Sequence, residues 1–541
     1  MSNGPSQFME PNCSRLLRRA LHAHQSGETA KAERLYNALL HYHPENFDAL
    51  HGLGQLHCQR GRFDTALLLI QNALKNDPGR AEGFASLGLV FHLLGRFKEA
   101  LLSYEEALTL DPGNVELLNR RGVALLELSR PLEALESFER VLAVNPDHLN
   151  ALGNYGNALV KLNRPEAAIA AYDRALIIVP ENANLLTNRA VALRRLDRPH
   201  EALMSASRAL LSSPNFAQAR FVESVARLTL GDFIAGWRGY EARWTVGLLA
   251  SQHRNFTAPL WSGKEPLDGK TILLHAEQGF GDTIQFVRYA ALVAERGAEK
   301  VIIEAQRELV PLLRGFAGAA AVIARGEPLP AFDVHCPLLS LPLAFATELA
   351  TIPARIPYIA PPHARVEAWR DRLPRHPPRH LPRIGLAWSG DALHDNDLNR
   401  SIGLETLAPL LDLPDVAFVG LQHEIRERDL PLLQKLPNLC RLESKFCDFA
   451  DTAAAVSLMD AVIAVDTAVA HLAGAMAKPL MLLLPFAADF RWLRDRQDSP
   501  WYPTARLYRQ PKFGDWESVI GSLRQDLTRT EFFSPARKLS A

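Results

Sequence analysis

At 541 residues the chain is too long for a single apolar core, and 48% hydrophobic with 22% charged residues describes folded domains, not a disordered polymer. Lys plus Arg and Asp plus Glu both number 60, which excludes a general basic field for gathering nucleic acid. Cys13, Cys58, Cys336, Cys440 and Cys447 are scattered without Cys-x-x-Cys spacing, which argues against structural zinc and against a disulfide framework.

Residues 1–12 read as a tail without the charged-then-apolar pattern of a signal segment. From Cys13 onward a period of 34 sets in. Gly54, Gly88, Gly122, Gly156 and Ala190 fall in register, as do Ala66, Ala100, Ala134, Ala168 and Ala202, and Pro78, Pro112, Pro146, Pro180 and Pro214. This is the tetratricopeptide pattern, and it predicts an all-α solenoid of about seven units over 13–250. The unit from Ala81 shows why. Ala81–Leu94 carries apolar residues at helical spacing, Gly95-Arg96 turns, Phe97–Leu110 forms a second helix, and Asp111-Pro112-Gly113 stops it. Trp237, Tyr240 and Trp244 add bulk to the last unit, as expected of a terminal repeat that docks on something else.

The sixth position of each unit is expected to face the concave groove. Asn154 and Asn188 stand there in consecutive units, among Gly52, Ser86, Arg120 and Val222. The superhelix of O-linked N-acetylglucosamine transferases resembles this, its groove asparagines holding the backbone of protein acceptors. Asn154 and Asn188 are therefore read as groove residues for a protein partner, with two solvated polar residues as the alternative.

From about Asp268 short apolar runs alternate with helical stretches. Strands are expected at Thr271–His275, Val301–Glu304, Ala321–Ile323 and Val334–Cys336, in a first α/β domain over 251–373. A Pro-rich basic stretch, 374–382, reads as a linker. A second α/β domain, 383–530, is expected to contain Ile384–Trp388, Ala417–Leu421, Leu439–Leu442, Ala461–Val465 and Leu480–Leu484, with a tail at 531–541. Two doubly wound domains facing one another would place ligands beyond the carboxyl ends of their strands. The most apolar run, Leu472–Ala488, is interrupted by Lys478, Pro479 and Pro485, so no integral membrane segment is expected and the chain reads as cytoplasmic.

Three strand-end motifs carry the chemistry. In His275-Ala276-Glu277-Gln278-Gly279-Phe280-Gly281-Asp282-Thr283, the glycines permit close backbone approach and Asp282 opens a helix, as a base or merely as a cap. In Asp466-Thr467-Ala468-Val469-Ala470-His471, the backbone N–H groups of Ala468 and Val469 suit a diphosphate. Thr467 and His471 share a helix face, and the plain alternative is a capping threonine and a packed histidine. In Trp388–Ser401, His394, Arg400 and Ser401 could reach a phosphate, while Asp395-Asn396-Asp397 reads as a solvated turn and not as a metal site. The aromatic and basic stretch Phe486–Pro503, with Arg491, Trp492, Arg494, Arg496, Trp501 and Tyr502, either closes over a ligand or seals the domain interface.

Together these motifs resemble the family 9, heptosyltransferase-like glycosyltransferases of GT-B fold. The match spans about Leu273–Leu527, with Asp466-Thr467, His471-Leu472-Ala473 and Lys478-Pro479 strongest. It is closer still to bacterial tetratricopeptide proteins with such a domain, through His275–Gly279, Gly281–Phe286, Leu483–Phe486 and Ser499–Pro503. Two departures are plain. Leu484-Pro485-Phe486-Ala487 stands where those transferases have Gly-Pro, and Arg400 or His394 stands for their phosphate-binding lysine. The resemblance implies two facing Rossmann-like domains and transfer of a sugar from a nucleotide-diphosphate sugar to an acceptor hydroxyl, inverting and without a metal or further cofactor. It implies Asp282 as base beside Gly281, with Asp466, Thr467, Ala468, Val469 and His471 around the donor; strand-end position adds His394, Arg400 and Ser401 for its phosphate, and Gln422, at the end of Ala417–Leu421, for its base or ribose. The repeats would recruit a protein or other macromolecular acceptor. The competing expectation is a non-catalytic scaffold with a degenerate transferase domain.

Overall fold

The computed structural model describes residues 10–373, 381–436, 439–442 and 446–528. Residues 374–380 of the expected linker, residues 1–9 and the tail at 531–541 lie outside the described residues. The chain divides into two compact units, one ending at Arg189 and the other starting at Ala190.

Fourteen α-helices up to Tyr240, among the described residues, form seven successive tetratricopeptide hairpins. They run from α1 (Glu10–Gln25) and α2 (Thr29–Tyr42) to α13 (Ala217–Thr229) and α14 (Phe233–Tyr240). Helix α11 (Ala183–Arg195) crosses the boundary, so the last hairpins belong to the second unit. The repeat places a left-handed residue at the turn within every hairpin. Gly27, Gly61, Gly95 and Gly231 take it freely, whereas Ser129 (φ 57°), Asn163 (φ 58°) and Asp197 (φ 51°) take it with a side chain.

The small residues of the pattern are packing demands. A Cβ on Gly88 would stand 2.5 Å from the Tyr104 ring, on Gly122 2.5 Å from Phe138, and on Gly156 2.4 Å from Tyr172. At the same register of the sixth unit, Ala190 is matched with Ala206 in place of an aromatic ring. The glycine therefore accompanies the bulk of its partner helix.

Beyond the hairpins, the described residues of the second unit form two all-parallel sheets. The first is built from β1 (Thr271–His275), β2 (Lys300–Ala305), β3 (Ala321–Ala324) and β4 (Val334–Pro337), in the order β3-β2-β1-β4. The second is built from β5 (Arg383–Ala387), β6 (Ala417–Gly420), β7 (Leu439–Arg441), β8 (Ala461–Val465), β9 (Leu480–Leu484) and β10 (Ala505–Arg509), in the order β10-β9-β8-β5-β6-β7. That order reverses direction between β5 and β8, which makes a topological switch point there. Register is fixed by pairs such as Leu386 with Ile463 and Ala464 with Leu482.

Strand β8 shows why these runs are apolar throughout. Val462 and Ala464 face a core shared with the first sheet and with Trp237 and Tyr240, while Ile463 and Val465 face a second core with Ile384, Leu386 and Leu483. With side chains alternating across the sheet and both faces covered, no position is left for a polar residue.

Candidate functional site

The site is built where the first sheet's leading helix meets the switch point of the second. Helix Phe280–Phe286 follows β1, and helix Ala468–Ala475 follows β8. They pack directly on each other. A Cβ on Gly281 would lie 2.7 Å from His471 Cδ2 and 3.6 Å from the Ala468 Cα, so Gly281 is small because His471 sits against it.

Asp282 does two things at once. Its Oδ2 accepts from the Gly279 N–H at 2.9 Å, a helix cap, and its Oδ1 accepts from the Arg491 guanidinium. Arg491 in turn donates to Asp489 Oδ1 at 2.8 Å and lies over the Phe490 ring. Burial alone would lower its proton affinity, but the surrounding carboxylates of Asp489 and Asp282 drive it upward, so the charge is locked.

His471 is a packed histidine. It is 5% exposed, its Nδ1 lies 3.0 Å from the Tyr502 hydroxyl, and its ring stacks on Trp492. Burial holds it well below the ordinary imidazole range, and Arg491, Arg288 and Arg400 add to the effect. It is a neutral imidazole at pH 7, so of the two protonation states open from sequence only the uncharged one fits. Burial pushes the neighbouring Asp466 carboxyl up to about 6, with Asp489 adding to the rise.

Thr467 takes the N-cap position of its helix and makes no capping bond with its side chain. Its hydroxyl is buried without a hydrogen-bond partner. The Ser389 hydroxyl, at the end of β5 on the other side of the switch point, is also buried and unpartnered. Between them, Arg400 donates to the Asp466 carbonyl at 3.1 Å and covers Gly390, where a Cβ would stand 2.6 Å from its Nη2. Unspent polar atoms at the ends of the two strands flanking a switch point suit a polar ligand. Ala468 and Val469 open the helix beside them, half-buried, with first-turn N–H groups outside the helical ladder. His394, on an exposed loop, lies in the field of Arg400, Asp489 and Asp282.

Two residues read as donor-binding have other tasks. Gln422 Oε1 accepts from the N–H groups of Trp388 and Ser389, both at 3.0 Å, and its Nε2 donates to Ser389 O at 2.9 Å. It braces the end of β5. The Ser401 hydroxyl donates to Asp397 at 2.7 Å and accepts from Gly390 N–H at 2.9 Å. Strand-end position suggested both, yet each is engaged by groups inside the domain. Asp397 is also paired with Arg426 at 2.6 Å.

The Phe486–Pro503 stretch seals the junction between the sheets. Trp492, Trp501 and Tyr502 are fully buried. Arg288 donates to Trp501 O at 2.8 Å, to Pro353 O at 3.0 Å and to the Tyr358 hydroxyl at 2.8 Å.

Sequence reading missed the network behind the first motif. Arg243, fully buried, donates to both oxygens of Glu277 at 3.0 and 3.1 Å, to Glu241 and to Ser340. The Gln278 side chain reaches the Tyr240 hydroxyl at 3.4 Å. The terminal repeat thus grips the loop that presents Asp282. Only the bulk at Trp237, Tyr240 and Trp244 hinted at such a dock.

In the first unit the asparagines form an amide ladder. Asn154 Nδ2 donates to Asn119 Oδ1 at 3.1 Å, Asn188 Nδ2 donates to Asn157 Oδ1 at 3.0 Å, and the Tyr172 hydroxyl donates to Asn157 at 2.7 Å. Both Asn154 and Asn188 are half-buried and join consecutive repeats. Val222, at the same register, is buried.

Among the described residues, no group of three or more His, Cys, Asp or Glu is arranged to hold a metal ion, and no helix is long and apolar enough to cross a membrane.

The tetratricopeptide repeat family matches residues 17–81, 53–115 and 119–183. A protein named FlbA from Caulobacter vibrioides is 26% identical over 336 residues, which cover 57% of this chain and 54% of that protein. The chain therefore spans about half the length of the curated relative it matches, and the relative's name states no activity. A tetratricopeptide repeat protein from Parabacteroides merdae matches at 18% identity over 43% of this chain and 93% of its own, with a TM-score of 0.38. YrrB, described as a repeat protein with an unusual peptide-binding site, matches at 21% identity over 34% of this chain and 95% of its own, with a TM-score of 0.31. The N-terminal region is a run of tetratricopeptide repeats, and the C-terminal region is α/β with two parallel sheets.

Proposed function

We propose that the α/β region is a glycosyltransferase domain of GT-B type. It would take a nucleotide-diphosphate sugar as donor, need no metal, and invert the anomeric centre, while the repeats recruit a protein or other macromolecular acceptor in the cytoplasm. One observation carries the reading: unspent Ser389 and Thr467 hydroxyls flank the β5–β8 switch point under Arg400, with Asp282 brought alongside by the Gly281–His471 contact.

In the proposed reaction the acceptor hydroxyl attacks the anomeric carbon as Asp282 takes its proton, and the bond to the diphosphate oxygen breaks. Arg400, the Thr467 hydroxyl and the N–H groups of Ala468 and Val469 meet the charge on the departing diphosphate. His471 keeps its neutral ring between Tyr502 and Trp492 and sets the spacing of the two helices. Excluding water from the closed site would prevent hydrolysis of the donor.

A second reading, a scaffold without catalysis, is favoured by the packing of the same junction. Gly281 lies on His471, Asp282 is held by Arg491, and Arg288 ties the sheets together.

A panel of nucleotide-diphosphate sugars, read by calorimetry and by release of the nucleotide, separates the two. The transferase reading expects one donor to bind and to be turned over in an Asp282-dependent way. Binding without turnover supports the scaffold, and no binding of any donor removes the nucleotide site as well.

A further inference from the structure

The ion pair on Asp282 comes from a residue that the transferase reading does not use. Arg491 lies in the loop after β9, 209 positions along the chain, and reaches back to the carboxylate. Arg491 is 9% exposed, and its guanidinium is held at its other edge by Asp489, whose Oδ1 also accepts from the Arg491 backbone N–H at 3.0 Å. Its Nε is buried without a partner. A general base must present a carboxylate oxygen to the acceptor's proton, and here each oxygen already accepts a hydrogen bond, one from Arg491 and one from the Gly279 N–H.

The surroundings fix what can move. The loop backbone is anchored: Phe490 and Trp492 are buried, and Arg509 donates to the Trp492 carbonyl. Leu493 and Asp495 are held at φ 52° and 51°, a conformation that side chains rarely adopt and that persists only where packing imposes it. The guanidinium is held through the Asp282 and Asp489 carboxylates, beside the Phe286 and Phe490 rings. Within its field lie Asp282, Asp466, Asp489 and Tyr240, and Asp466 also feels Arg400. Two guanidiniums, Arg400 and Arg491, thus act on Asp466 at the end of β8, Arg400 also donating to its carbonyl at 3.1 Å, and paired guanidiniums suit a diphosphate through forked hydrogen bonds.

We propose that Arg491 is a diphosphate-binding residue that exchanges Asp282 for the donor's phosphate, so that donor binding itself frees the base. This rests on the transferase reading and adds to it an order of events. Without donor, Asp282 is masked and the site does not abstract protons. With donor, the guanidinium swings about its anchored backbone, Asp489 keeps one of its edges, and Asp282 is left facing the acceptor.

The exchange makes the two partners thermodynamically coupled, which gives the test. Nucleoside diphosphates (UDP, GDP, ADP and CDP) are titrated calorimetrically into the full chain, its Asp282→Asn and Arg491→Gln variants, and the double variant. Thermal unfolding confirms that each is folded, and Arg491→Lys replaces Arg491→Gln if the latter is not. Loss of a charge-assisted contact predicts weakening of about tenfold or more for Arg491→Gln. Asp282→Asn releases Arg491 and is expected to tighten binding about threefold to tenfold. The double variant is expected to bind like Arg491→Gln alone. Unchanged affinity in Asp282→Asn, or a gain that survives in the double variant, overturns the exchange while leaving the nucleotide site standing. Absence of binding by wild type and every variant overturns the transferase reading and the exchange with it.

Discussion

Asp282 shares its carboxylate between its own helix and the far end of the domain: Oδ2 caps through the Gly279 N–H, and Oδ1 meets the guanidinium of Arg491. The cap explains why an aspartate stands at the start of that helix whether or not it is a base. The ion pair explains why it is not simply a cap, since a surface aspartate would have no need of a buried arginine.

Asp282→Asn keeps the shape and an acceptor for Gly279, so the fold should survive. With the base removed, transfer is expected to fall by about 10²–10⁴-fold while the donor still binds, at least as tightly as to the wild type. Steady-state turnover measured beside donor affinity checks this, and unchanged turnover removes Asp282 from the base role.

Gly281→Ala places a methyl 2.7 Å from His471 Cδ2. The imidazole is wedged between Trp492 and Tyr502 and cannot yield, so the variant is expected to lose roughly 1–3 kcal/mol by overpacking. Combining it with His471→Ala should recover part of the loss. A double-mutant cycle of denaturation midpoints reads the coupling, and additive losses would mean the helices do not touch as described.

Arg243→Met leaves Glu277 buried without its countercharge. The expected loss is about 3–5 kcal/mol, the range for breaking one side of a buried pair. Glu277→Gln in the same background should restore much of it, because the uncompensated charge is gone. Thermal unfolding of the single and double variants measures both steps.

His275 sets a pH dependence. Burial holds its imidazole down at about 3, with His335, 3.2 Å away, and the nearby arginines adding to the effect. The unfolded ring takes its proton near 6.5, so the unfolded state gains protons first as the pH falls. The stabilisation is complete above pH 6.5 and is lost progressively toward pH 3, by roughly 2 kcal/mol at pH 5. His275→Asn should flatten that slope in unfolding midpoints recorded from pH 7 to pH 4.

Ser129 carries a left-handed turn that Gly27, Gly61, Gly95 and Gly231 make at the same register. Ser129→Gly removes strain of about 1 kcal/mol and is expected to raise the unfolding midpoint of the repeats. The parallel change at Asn163 should gain less, since asparagine tolerates this conformation better.

Much of this architecture was written in local pattern. The 34-residue period located the hairpins because each turn and each close helix contact recurs at one register, and the Gly95 turn between Leu93 and Phe97 falls where spacing put it. Strands β1, β8 and β9 were legible as unbroken apolar runs because both faces of their sheets are covered. Strand β10 was not. Arg506 and Arg509 bracket Leu507 and Tyr508 at the edge of the sheet, so it lacks the apolar run. The site was legible as far as strand ends go. Position alone brought Asp282, Arg400, Thr467 and His471 together, but it could not say that Gln422 and Ser401 would turn inward to groups of their own domain. Nor could it pair Asp282 with Arg491 or Glu277 with Arg243, since those partners are chosen by tertiary packing.

Calorimetric titration of nucleotide-diphosphate sugars into the full chain and into Arg400→Ala probes the nucleotide site without relying on turnover. A donor site at the β8 terminus predicts saturable binding of at least one donor, weakened about tenfold or more when the guanidinium over that terminus is removed. Failure of every donor to bind, or binding indifferent to Arg400, would contradict it.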